Sequence, residues 1–476
     1  MATQKPHIVC LPTPLQGHIN PMMQLAKLLH SKGCYITMVL TEFDAARLAA
    51  NSSSLQGLHD FSVETIPDGL PSDNKRGVLD LPGLCRGLVS GVPAEGFRRV
   101  LKKIECSPDI PKVKSMIIDT FMYFAHEVAN ELGIPWVTLF TSGAAAMISF
   151  MQNDELVNRG HFSFKDESCL TNGYLNTPAD WIPGLIKETK LKHLPTFIRT
   201  TDPNDTLFNF TAEAGRRFLT TKALILNTFD DLELKALEAI KPMNIPNLFT
   251  ISPFLMLCQQ PNDHEILPFK TNLWKEDLSC LEWLDKRSPK SVIYVNYGSL
   301  AILTPKQLEE FAWGLANSNY PFLWVIRSNL VEGELSNILS SDYMEEIKDR
   351  GFISSWCPQQ KVLKHPSVAV FLTHSGWNSI LESMSAEMPM ICWSFFAEQQ
   401  LNCLYVCQEW KIGVEMEEGE VRKEKIEELV KEMMEGEKGK ETRRNVGEWK
   451  RKALEATRHG GSSHSNFEKL VKYLIS

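Results

Sequence analysis

Two residues in the N-terminal part of the chain could together remove a proton from an alcohol. His18 lies in PTPLQGHINP, directly after the apolar run HIVCLP, and Asp119 ends a second apolar run, VKSMIID. An imidazole has an ordinary pKa of about 6.5, so it can accept a proton at neutral pH. A carboxylate beside it fixes its tautomer and stabilises the cation that forms. A lone histidine after a strand is more often structural, so its pairing with Asp119 is a hypothesis.

A second concentration of polar residues occupies the 44 residues from Trp356 to Gln399. The apolar runs GFISSW, VAVFLT and PMICW cross this stretch and predict three strands. In an open parallel sheet, ligands bind beyond the carboxyl ends of the strands. Trp356, His374 and Trp393 follow such ends, and Glu398 and Gln399 come shortly after the third. The spacing therefore predicts a binding site at one edge of a sheet.

A helix that begins near Gly376 would direct unpaired N–H groups and the positive end of its dipole at a phosphate. Gly376 lets the backbone approach the anion, and further donors would come from His374, Asn378 and Ser379. Ser299 follows the run SVIYVNYG and supplies another hydroxyl from a neighbouring loop. Glu382 is three positions after Ser379 on the same helix face, where its carboxylate could accept ribose hydroxyls.

Each of these residues has a simpler explanation when it is taken singly. Ser379 followed by Glu382 is the pattern of a capping box. His374 could be a loop histidine with its hydrogen bonds satisfied, and Trp356 and Trp393 could belong to the core. Their concentration on one predicted sheet edge favours the binding site.

Short apolar strands alternate with helical patterns in both halves of the chain, which predicts parallel sheets covered by helices. The fold class is therefore α/β with two doubly wound, Rossmann-like domains. We predict a first domain over 1–250, a linker over 251–270, a second domain over 271–459 and a C-terminal helix over 460–476 that packs on the first domain. In the first domain we expect a helix from about Pro21 to His30. In the second, Thr304 and Pro305 should cap a helix that ends near Asn317.

Composition excludes several classes of partner and function. A chain of 476 residues with a formal net charge of −8 does not suit a nucleic acid or an anionic membrane as main partner. There is no signal-peptide pattern and no apolar run of the length that a membrane span needs. The eleven cysteines have no CxxC spacing, so we expect reduced thiols. A monomeric cytoplasmic enzyme acting on small molecules fits these features.

The stretch from Trp356 to Gln399 closely resembles the C-terminal signature of plant secondary-metabolite UDP-glycosyltransferases. The resemblance extends to TPLQGHINP, FKDESCLTNG and LWKEDLSCLEWLD elsewhere in the chain. It implies the GT-B fold, in which two Rossmann-like domains face each other across a cleft. It also implies UDP-glucose as the donor and no metal. The chain itself contains no DxD motif, which commonly holds a divalent ion.

The resemblance assigns roles to the individual residues. His18 and Asp119 become the catalytic base and its partner, and Gln399, in place of a histidine, implies glucose over galactose. The other implied contacts are uracil stacking by Trp356, ribose or base binding by Gln359, phosphate binding by His374, Asn378 and Ser379, ribose binding by Glu382, and sugar binding by Trp377, Glu398 and Gln399. Thr141, at the end of IPWVTLF, is a further candidate for a sugar contact.

Three positions depart from the usual signature. Ser375 replaces a common cysteine, Glu387 a usual glycine and Ser394 a usual proline. Glu387 follows a predicted helix, where glycine would take the left-handed conformation, so we expect a strained turn. The motif uses none of the three for contact, and activity should survive.

A single candidate base and no evident enzymic nucleophile predict an inverting displacement. The resemblance implies that glucose is transferred from UDP-glucose to a hydroxyl of a small apolar plant metabolite, such as a terpenoid, an iridoid or a phenolic. Phe121, Met122, Phe150 and the region of Trp181 are candidates for the acceptor pocket. One alternative is a non-catalytic homologue that only binds sugar nucleotides, although such a module needs no base. An NAD-dependent oxidoreductase is disfavoured, because no G-x-G-x-x-G follows the first strand.

Overall fold

A computed structural model describes residues 5–51, 60–71, 80–259, 272–327, 330–331, 339–416 and 421–476. The chain divides into two compact units. The first comprises Met1–Lys192, Thr196–Trp274 and Ala453–Ser476, and the second His193–Pro195 and Lys275–Lys452. In the described residues no helix is both long enough and apolar enough to cross a bilayer.

The first unit contains a parallel sheet of seven strands in the order β3-β2-β1-β4-β5-β6-β7. The strands are β1 His7–Leu11, β2 Tyr35–Thr41, β3 Phe61–Ile66, β4 Val113–Asp119, β5 Trp136–Phe140, β6 Leu224–Leu226 and β7 Leu248–Thr250. The helices are Gln16–Ser31, Glu42–Asn51, Leu81–Leu88, Val92–Cys106, Phe124–Glu131, Ala144–Met151, Asn153–Asn158, Thr206–Arg217, Leu234–Ile240, Phe254–Cys258 and Ser462–Ile475, with 3-10 turns at Glu167–Leu170, Tyr174–Asn176, Leu191–His193, Thr196–Ile198 and Lys241–Met243.

Both faces of this sheet are covered, as the continuous apolar runs of its strands require. Along β1, Ile8 and Cys10 pack in one core together with the helix Gln16–Ser31, whereas Val9 and Leu11 pack in the core on the opposite face. Successive side chains of a strand point to opposite faces, so a fully buried strand contributes to both cores.

The helix Ser462–Ile475 packs in the core of the first unit. Phe467, Leu470, Val471 and Leu474 lie against the helix Gln16–Ser31 and the sheet in that core. The Ser463 hydroxyl donates to the carbonyl of Ser252 at 2.7 Å. The C-terminal segment is therefore an integral part of the first unit.

Residues 251–259 of the predicted linker are also packed in the first unit. They contain the helix Phe254–Cys258, and Phe254 and Leu257 belong to the same core as β1. Residues 260–271, which include the rest of the predicted linker, lie outside the described residues.

The second unit contains a parallel sheet of six strands in the order β10-β9-β8-β11-β12-β13. The strands are β8 Val292–Asn296, β9 Phe322–Val325, β10 Gly351–Ser354, β11 Val368–Thr373, β12 Met390–Cys392 and β13 Gly413–Glu415. The helices are Ser279–Asp285, Pro305–Asn317, Ser341–Ile347, Gln359–Leu363, Trp377–Ala386, Gln399–Leu404, Lys423–Glu435 and Glu437–Thr457, with a π-helical turn at Tyr405–Glu409. The last of these helices belongs to the second unit as far as Lys452. Thr304 caps the helix Pro305–Asn317, as predicted, and Gln307 completes a capping box that was not predicted.

The strand orders explain where ligands can bind. Counted within each unit, both sheets run 3-2-1-4-5-6, and the first adds a seventh strand. Neighbouring connections leave in opposite directions at the pair β1 and β4 in the first unit and at β8 and β11 in the second. Such a switch point opens a crevice at the carboxyl ends of the two strands. The fold-class prediction of two parallel-sheet α/β units is confirmed.

The first helix corrects one expectation. It begins at Gln16 rather than near Pro21, and Pro21 lies inside it. Pro21 is the sixth residue of this helix and lacks the N–H of a regular helical hydrogen bond, yet the helix continues through it to Ser31. His18 therefore lies in the first helical turn rather than in the preceding loop.

Candidate functional site

His18 and Asp119 meet at the switch point of the first sheet. His18 follows β1 and Asp119 ends β4, the neighbouring strand. The His18 Nδ1 and the Asp119 Oδ2 are 2.8 Å apart, with 18 % of the His18 side chain and 1 % of the Asp119 side chain exposed. A carboxylate only accepts hydrogen bonds, so Nδ1 carries the proton and Nε2 has the lone pair. The arrangement is that of an oriented base.

The buried carboxylate is held from its other side. The hydroxyl of Thr13 and the main-chain N–H of Phe121 donate to Asp119 Oδ1 at 2.6 and 3.1 Å. Hydrogen bonds that favour the ionised form offset the cost of burying a charge. Thr13 was missed by the sequence analysis, although its position two residues after β1 is a detectable signal.

Thr141 follows β5, and its hydroxyl oxygen lies 3.0 Å from the His18 Nδ1. Its main-chain carbonyl accepts a hydrogen bond from the Asn227 side chain at 3.0 Å. Thr141 is thus a neighbour of the base, and the predicted sugar contact stays a prediction.

Aromatic side chains extend from His18 into the first unit. The Phe121 ring meets the His18 ring edge-on at 5.6 Å, and it neighbours the rings of Phe150 and Phe210 at 5.9 and 6.0 Å. Phe121 is partly exposed, whereas Met122 is buried in the core. Trp181 is instead covered by Arg159, whose guanidinium carbon lies 4.3 Å from the ring centroid.

A second candidate site lies at the switch point of the second sheet, after β8 and β11. Gly376 is the N-cap of the helix Trp377–Ala386 and provides no side-chain cap. The first N–H groups of that helix are therefore not capped by the N-cap side chain. Asn378 and Ser379 are its second and third residues, and Ser299 lies in the turn after β8.

His374 lies between two glycines. A Cβ added at Gly298 or at Gly376 would come within 2.5 or 2.3 Å of the His374 Nε2. Real Cβ atoms do not approach so closely, so only glycine at these two positions allows this ring position. The close approach explains a helix start that lacks the usual serine or aspartate cap.

The electrostatic surroundings keep His374 neutral. Burial lowers the pKa of His374 to about 4, and the positive charge of Arg327 contributes in the same direction. Arg327 is itself buried, which lowers its pKa to about 10, and it donates to the carbonyl of Ala301 at 2.7 Å. Its guanidinium remains charged at neutral pH. The sequence analysis missed this cation, which follows β9.

Gln359 connects a residue predicted to bind phosphate, Ser379, with one predicted to bind ribose, Glu382. Its Nε2 donates to the Ser379 hydroxyl at 3.0 Å and to the Glu382 Oε2 at 2.8 Å. Its Oε1 accepts from the side chains of Tyr294 and Asn296 at 3.2 and 2.9 Å. Both ends of the amide are thus fixed, and the flip of the group is determined by these partners.

Glu382 is not part of a capping box. It lies inside the helix Trp377–Ala386, and its Oε1 accepts a second amide hydrogen bond from Gln360 at 3.0 Å. Burial raises the pKa of Glu382, while the amide donors Gln359 and Gln360 and the charge of Lys364 oppose the increase. The simpler explanation of Ser379 and Glu382 is therefore wrong.

The three tryptophans of the stretch have different surroundings. Trp356 follows β10 and is 9 % exposed. The Trp377 ring is buried against Trp410, with ring centroids 6.0 Å apart, so the ring packs inside the second unit. Trp393 packs on Phe311 at 4.5 Å, so its explanation as a core residue is correct.

Gln399 is fixed by the loop that precedes it. Its Oε1 accepts main-chain N–H groups from Phe395 and Phe396 at 3.0 and 3.3 Å, so its Nε2 is the side directed to donate elsewhere. The Ser394 hydroxyl donates to the Gln399 carbonyl at 3.0 Å, a bond that the usual proline could not make. Glu398 is the N-cap residue of the same helix, Gln399–Leu404.

Glu387 has the left-handed conformation that its sequence position predicted, with φ 61° and ψ 40°. Its carboxylate pairs with Lys450 at 3.1 Å and lies against Gly447 of the helix Glu437–Thr457. The unusual residue thus connects the end of one helix to a second helix.

Comparisons with known proteins identify the family and the fold. A family model described as UDP-glucoronosyl and UDP-glucosyl transferase matches residues 264–448. The 7-deoxyloganetin glucosyltransferase of Gardenia jasminoides is 46% identical over 99% of this chain and 98% of its own length. Linamarin synthase 1 of Manihot esculenta is also 46% identical, over 99% of this chain and 97% of its own length. The crystal structure of Medicago truncatula UGT71G1 complexed with UDP-glucose matches with a TM-score of 0.81 and 28% identity, over 99% of each chain.

Proposed function

Because this chain belongs to the UDP-glucoronosyl and UDP-glucosyl transferase family, we propose that it transfers glucose from UDP-glucose to a hydroxyl of a small apolar metabolite. It is a UDP-glycosyltransferase. The observation that carries the proposal is the hydrogen bond between His18 Nδ1 and Asp119, which leaves Nε2 as the basic nitrogen.

In the proposed reaction, His18 Nε2 takes the proton of the acceptor hydroxyl as the oxygen attacks the anomeric carbon. The bond from that carbon to the UDP oxygen breaks, and UDP leaves with the electron pair. Asp119 stabilises the imidazolium that forms. A single displacement without an enzyme nucleophile inverts the configuration, so an α-linked donor gives a β-glucoside.

Charge on the departing UDP must be stabilised by fixed groups. We assign this role to the N–H groups at the start of the helix Trp377–Ala386 and to the neutral His374, with the buried Arg327 as a nearby cation. Trp356 would stack on uracil, the amide-linked Glu382 would bind ribose, and the Gln399 Nε2 would donate to a sugar hydroxyl. These fixed dipoles support a reaction without a divalent ion.

The acceptor is proposed to be apolar because Phe121 adjoins the base and the rings of Phe150 and Phe210 neighbour Phe121. Two relatives with the same 46% identity are named for different chemistry, one for 7-deoxyloganetin and one for linamarin. Overall similarity to them therefore does not select the alcohol.

The test is to incubate the purified protein with UDP-glucose and a panel of terpenoid, iridoid and phenolic alcohols. We expect a product heavier than the alcohol by one hexosyl unit, with β configuration by NMR. The UDP-galactose arm should give much less product, and EDTA should change nothing. UDP binding without product from any alcohol would favour the sugar-nucleotide-binding homologue. Loss of activity in EDTA that magnesium restores would contradict the metal-free mechanism.

A monomeric, cytoplasmic enzyme completes the proposal. Analytical ultracentrifugation should give the mass of one chain, and a fluorescent fusion should fill the cytosol.

A further inference from the structure

Three cysteine side chains meet in the second unit at a place that the proposed reaction does not use. Cys392 ends β12, Cys403 lies in the helix Gln399–Leu404, and Cys407 lies in the π-helical turn Tyr405–Glu409. Their sulfur atoms all lie within 4.8 Å of one another. In the described part of the chain, no other group of three His, Cys, Asp or Glu side chains comes within reach of one ion.

The separations suit a shared metal ion. Two sulfurs that bind one ion at about 2.3 Å lie about 3.8–4.0 Å apart in tetrahedral or trigonal geometry. The Cys403 and Cys407 sulfurs are 3.9 Å apart. The two cysteines are four residues apart, and the π-helical turn between them is a rare local geometry that is common at functional sites.

Burial limits what can reach the sulfurs and from where. Cys392 and Cys403 are buried, whereas Cys407 is partly exposed and provides a route from solvent. Single buried cysteines behave as small apolar residues, but three converging sulfurs form a soft ligand set.

Ser375 adds a polar atom to this cluster. It is fully buried, its hydroxyl lies beside the Cys392 thiol, and no hydrogen bond of normal geometry reaches its Oγ from the described residues. An O–H group there can donate to a thiolate. The helix Trp377–Ala386 begins two residues later, and its positive end also favours an anion.

We propose that Cys392, Cys403 and Cys407 bind one Cu(I) ion through their three sulfur atoms. Soft thiolates select Cu(I) or Zn²⁺, and structural zinc almost always takes four ligands. This cluster has three sulfur ligands, and the Ser375 hydroxyl can donate to a thiolate. Three soft ligands favour Cu(I), which accepts fewer ligands than structural zinc. Each coordinated thiol releases its proton to solvent, and no electron is transferred.

A Cu(I) ion bound at the three cysteines would link three segments next to the proposed donor site. Cys392 precedes the loop that leads to Gln399, and Cys403 follows Gln399 by one helical turn. The Asn402 side chain donates to the Ser375 carbonyl at 3.1 Å, which connects the same helix to the segment that carries His374. The ion would therefore rigidify the support of the donor residues without contacting the donor.

The test is an anaerobic titration of the reduced full-length protein with Cu(I), with bicinchoninate as the coloured competitor. We expect the wild type to withdraw one equivalent of Cu(I) from bicinchoninate. X-ray absorption of the one-to-one complex should show three sulfur neighbours at about 2.3 Å. A wild type that withdraws no copper, or a site with oxygen or nitrogen in place of a sulfur, would overturn the proposal.

Matched variants separate this cluster from the other thiols. Cys407→Ser should weaken binding of the one equivalent of Cu(I) at least tenfold. Because Cys407 is partly exposed, this substitution carries a small risk of misfolding. Thermal unfolding in the absence of metal checks the fold of the variant. Two control variants should bind Cu(I) as the wild type does. Cys106→Ser changes a single exposed cysteine, and Cys280→Ser removes the contact between the Cys280 and Cys357 thiols. Unchanged binding by Cys407→Ser would exclude the cluster. Binding of Zn²⁺ at the same three cysteines, with a fourth ligand that is lost in Ser375→Ala, would overturn the choice of Cu(I). These readouts do not depend on glucosyl transfer.

Discussion

At the scale of single residues, the proposed reaction depends on the lone pair of one nitrogen, the His18 Nε2. Asp119 accepts hydrogen bonds from His18, Thr13 and the Phe121 main chain, so its position is fixed from several directions. Preorganisation of this kind lowers the cost of creating an imidazolium during attack.

Replacing His18 by alanine should reduce turnover about 10²–10⁴-fold, the usual contribution of a general base. UDP affinity should not change, because the proposed donor residues belong to the other unit. Steady-state kinetics and calorimetric titration with UDP measure the two effects. Asp119→Asn, which keeps the shape but loses the charge, should also lower turnover with unchanged UDP affinity. A His18→Ala enzyme with more than about a tenth of wild-type turnover would refute the base assignment.

The lowered pKa of His374 predicts how stability depends on pH. Burial lowers this pKa from 6.5 to about 4, so between these values the unfolded chain binds more protons than the folded one. The free energy of unfolding should therefore fall as the pH decreases through this window. In urea unfolding, the wild type should lose more stability than His374→Gln between about pH 7 and about pH 5.

Burial also lowers the pKa of His126, to about 3. Because His126 is present in both the wild type and His374→Gln, its effect on the pH dependence of stability is the same in both and cancels in the comparison. Equal losses in the wild type and in His374→Gln would show that His374 is not a buried neutral histidine.

At the scale of elements, the proposed donor site in the second unit depends on how a strand changes into a helix. Gly298 and Gly376 flank the His374 ring, and the short helix Gln359–Leu363 brings an amide to Ser379 and Glu382. Neither arrangement is a property of one element.

Adding one methyl group at Gly376 tests this close approach. Gly376 has φ −66°, so alanine fits the backbone there, and the only new effect is the collision with His374. We expect Gly376→Ala to weaken UDP binding at least tenfold, about 1.4 kcal/mol, by calorimetric titration. In Gly447→Ala the new Cβ would meet only the flexible end of the Glu387 side chain, so UDP affinity should not change. Equal affinities in both variants would contradict the packed position of His374.

The turn at Glu387 combines a strained backbone with a compensating contact. A left-handed residue other than glycine costs about 1 kcal/mol, and the partly exposed ion pair with Lys450 contributes roughly 0–1 kcal/mol. Glu387→Gly should therefore stabilise the protein by about 0.5–1 kcal/mol in a Lys450→Ala background and by less in the wild type. Urea unfolding of the four proteins measures this difference. A larger gain in the wild-type background would mean that the ion pair does not stabilise this turn.

At the scale of the whole molecule, the chain forms two parallel sheets of similar order, and its last helix returns to the first unit. Leu470 of that helix is fully buried, whereas Ile475 is 41% exposed. The helix also forms side-chain hydrogen bonds to β7 through Asn466 and Thr250.

Removing the Leu470 side chain tests the contribution of this helix. Leu470→Ala should lower the free energy of unfolding by about 2–5 kcal/mol, because it leaves a cavity in the core. Ile475→Ala should change it by less than about 0.5 kcal/mol, because that side chain is already hydrated. Urea unfolding followed by fluorescence compares the two. Similar values would mean that the helix is not docked in the core.

The sequence by itself determined the strands that precede the candidate site residues, their alternation with helices and the residues at the carboxyl ends of these strands, because the period of apolar residues and strand-end loops are local properties. The strands β3, β6 and β7 were not predicted. Helix boundaries were less predictable. Pro21 suggested a start, yet tertiary packing extends the helix back to Gln16 and includes His18 in its first turn.

Only the tertiary structure decided which of these residues meet. Thr13 reaches Asp119 across 106 positions, Gly298 lies against a histidine in a different loop, and Gln359 connects β8 to the helix Trp377–Ala386. The sequence also did not predict the surroundings of each tryptophan. Nor did it predict that three cysteines from a strand, a helix and a π-helical turn come together. The physical reason is that these contacts depend on strand order and helix docking, which are set by burial of apolar surface over the whole unit rather than by any local pattern.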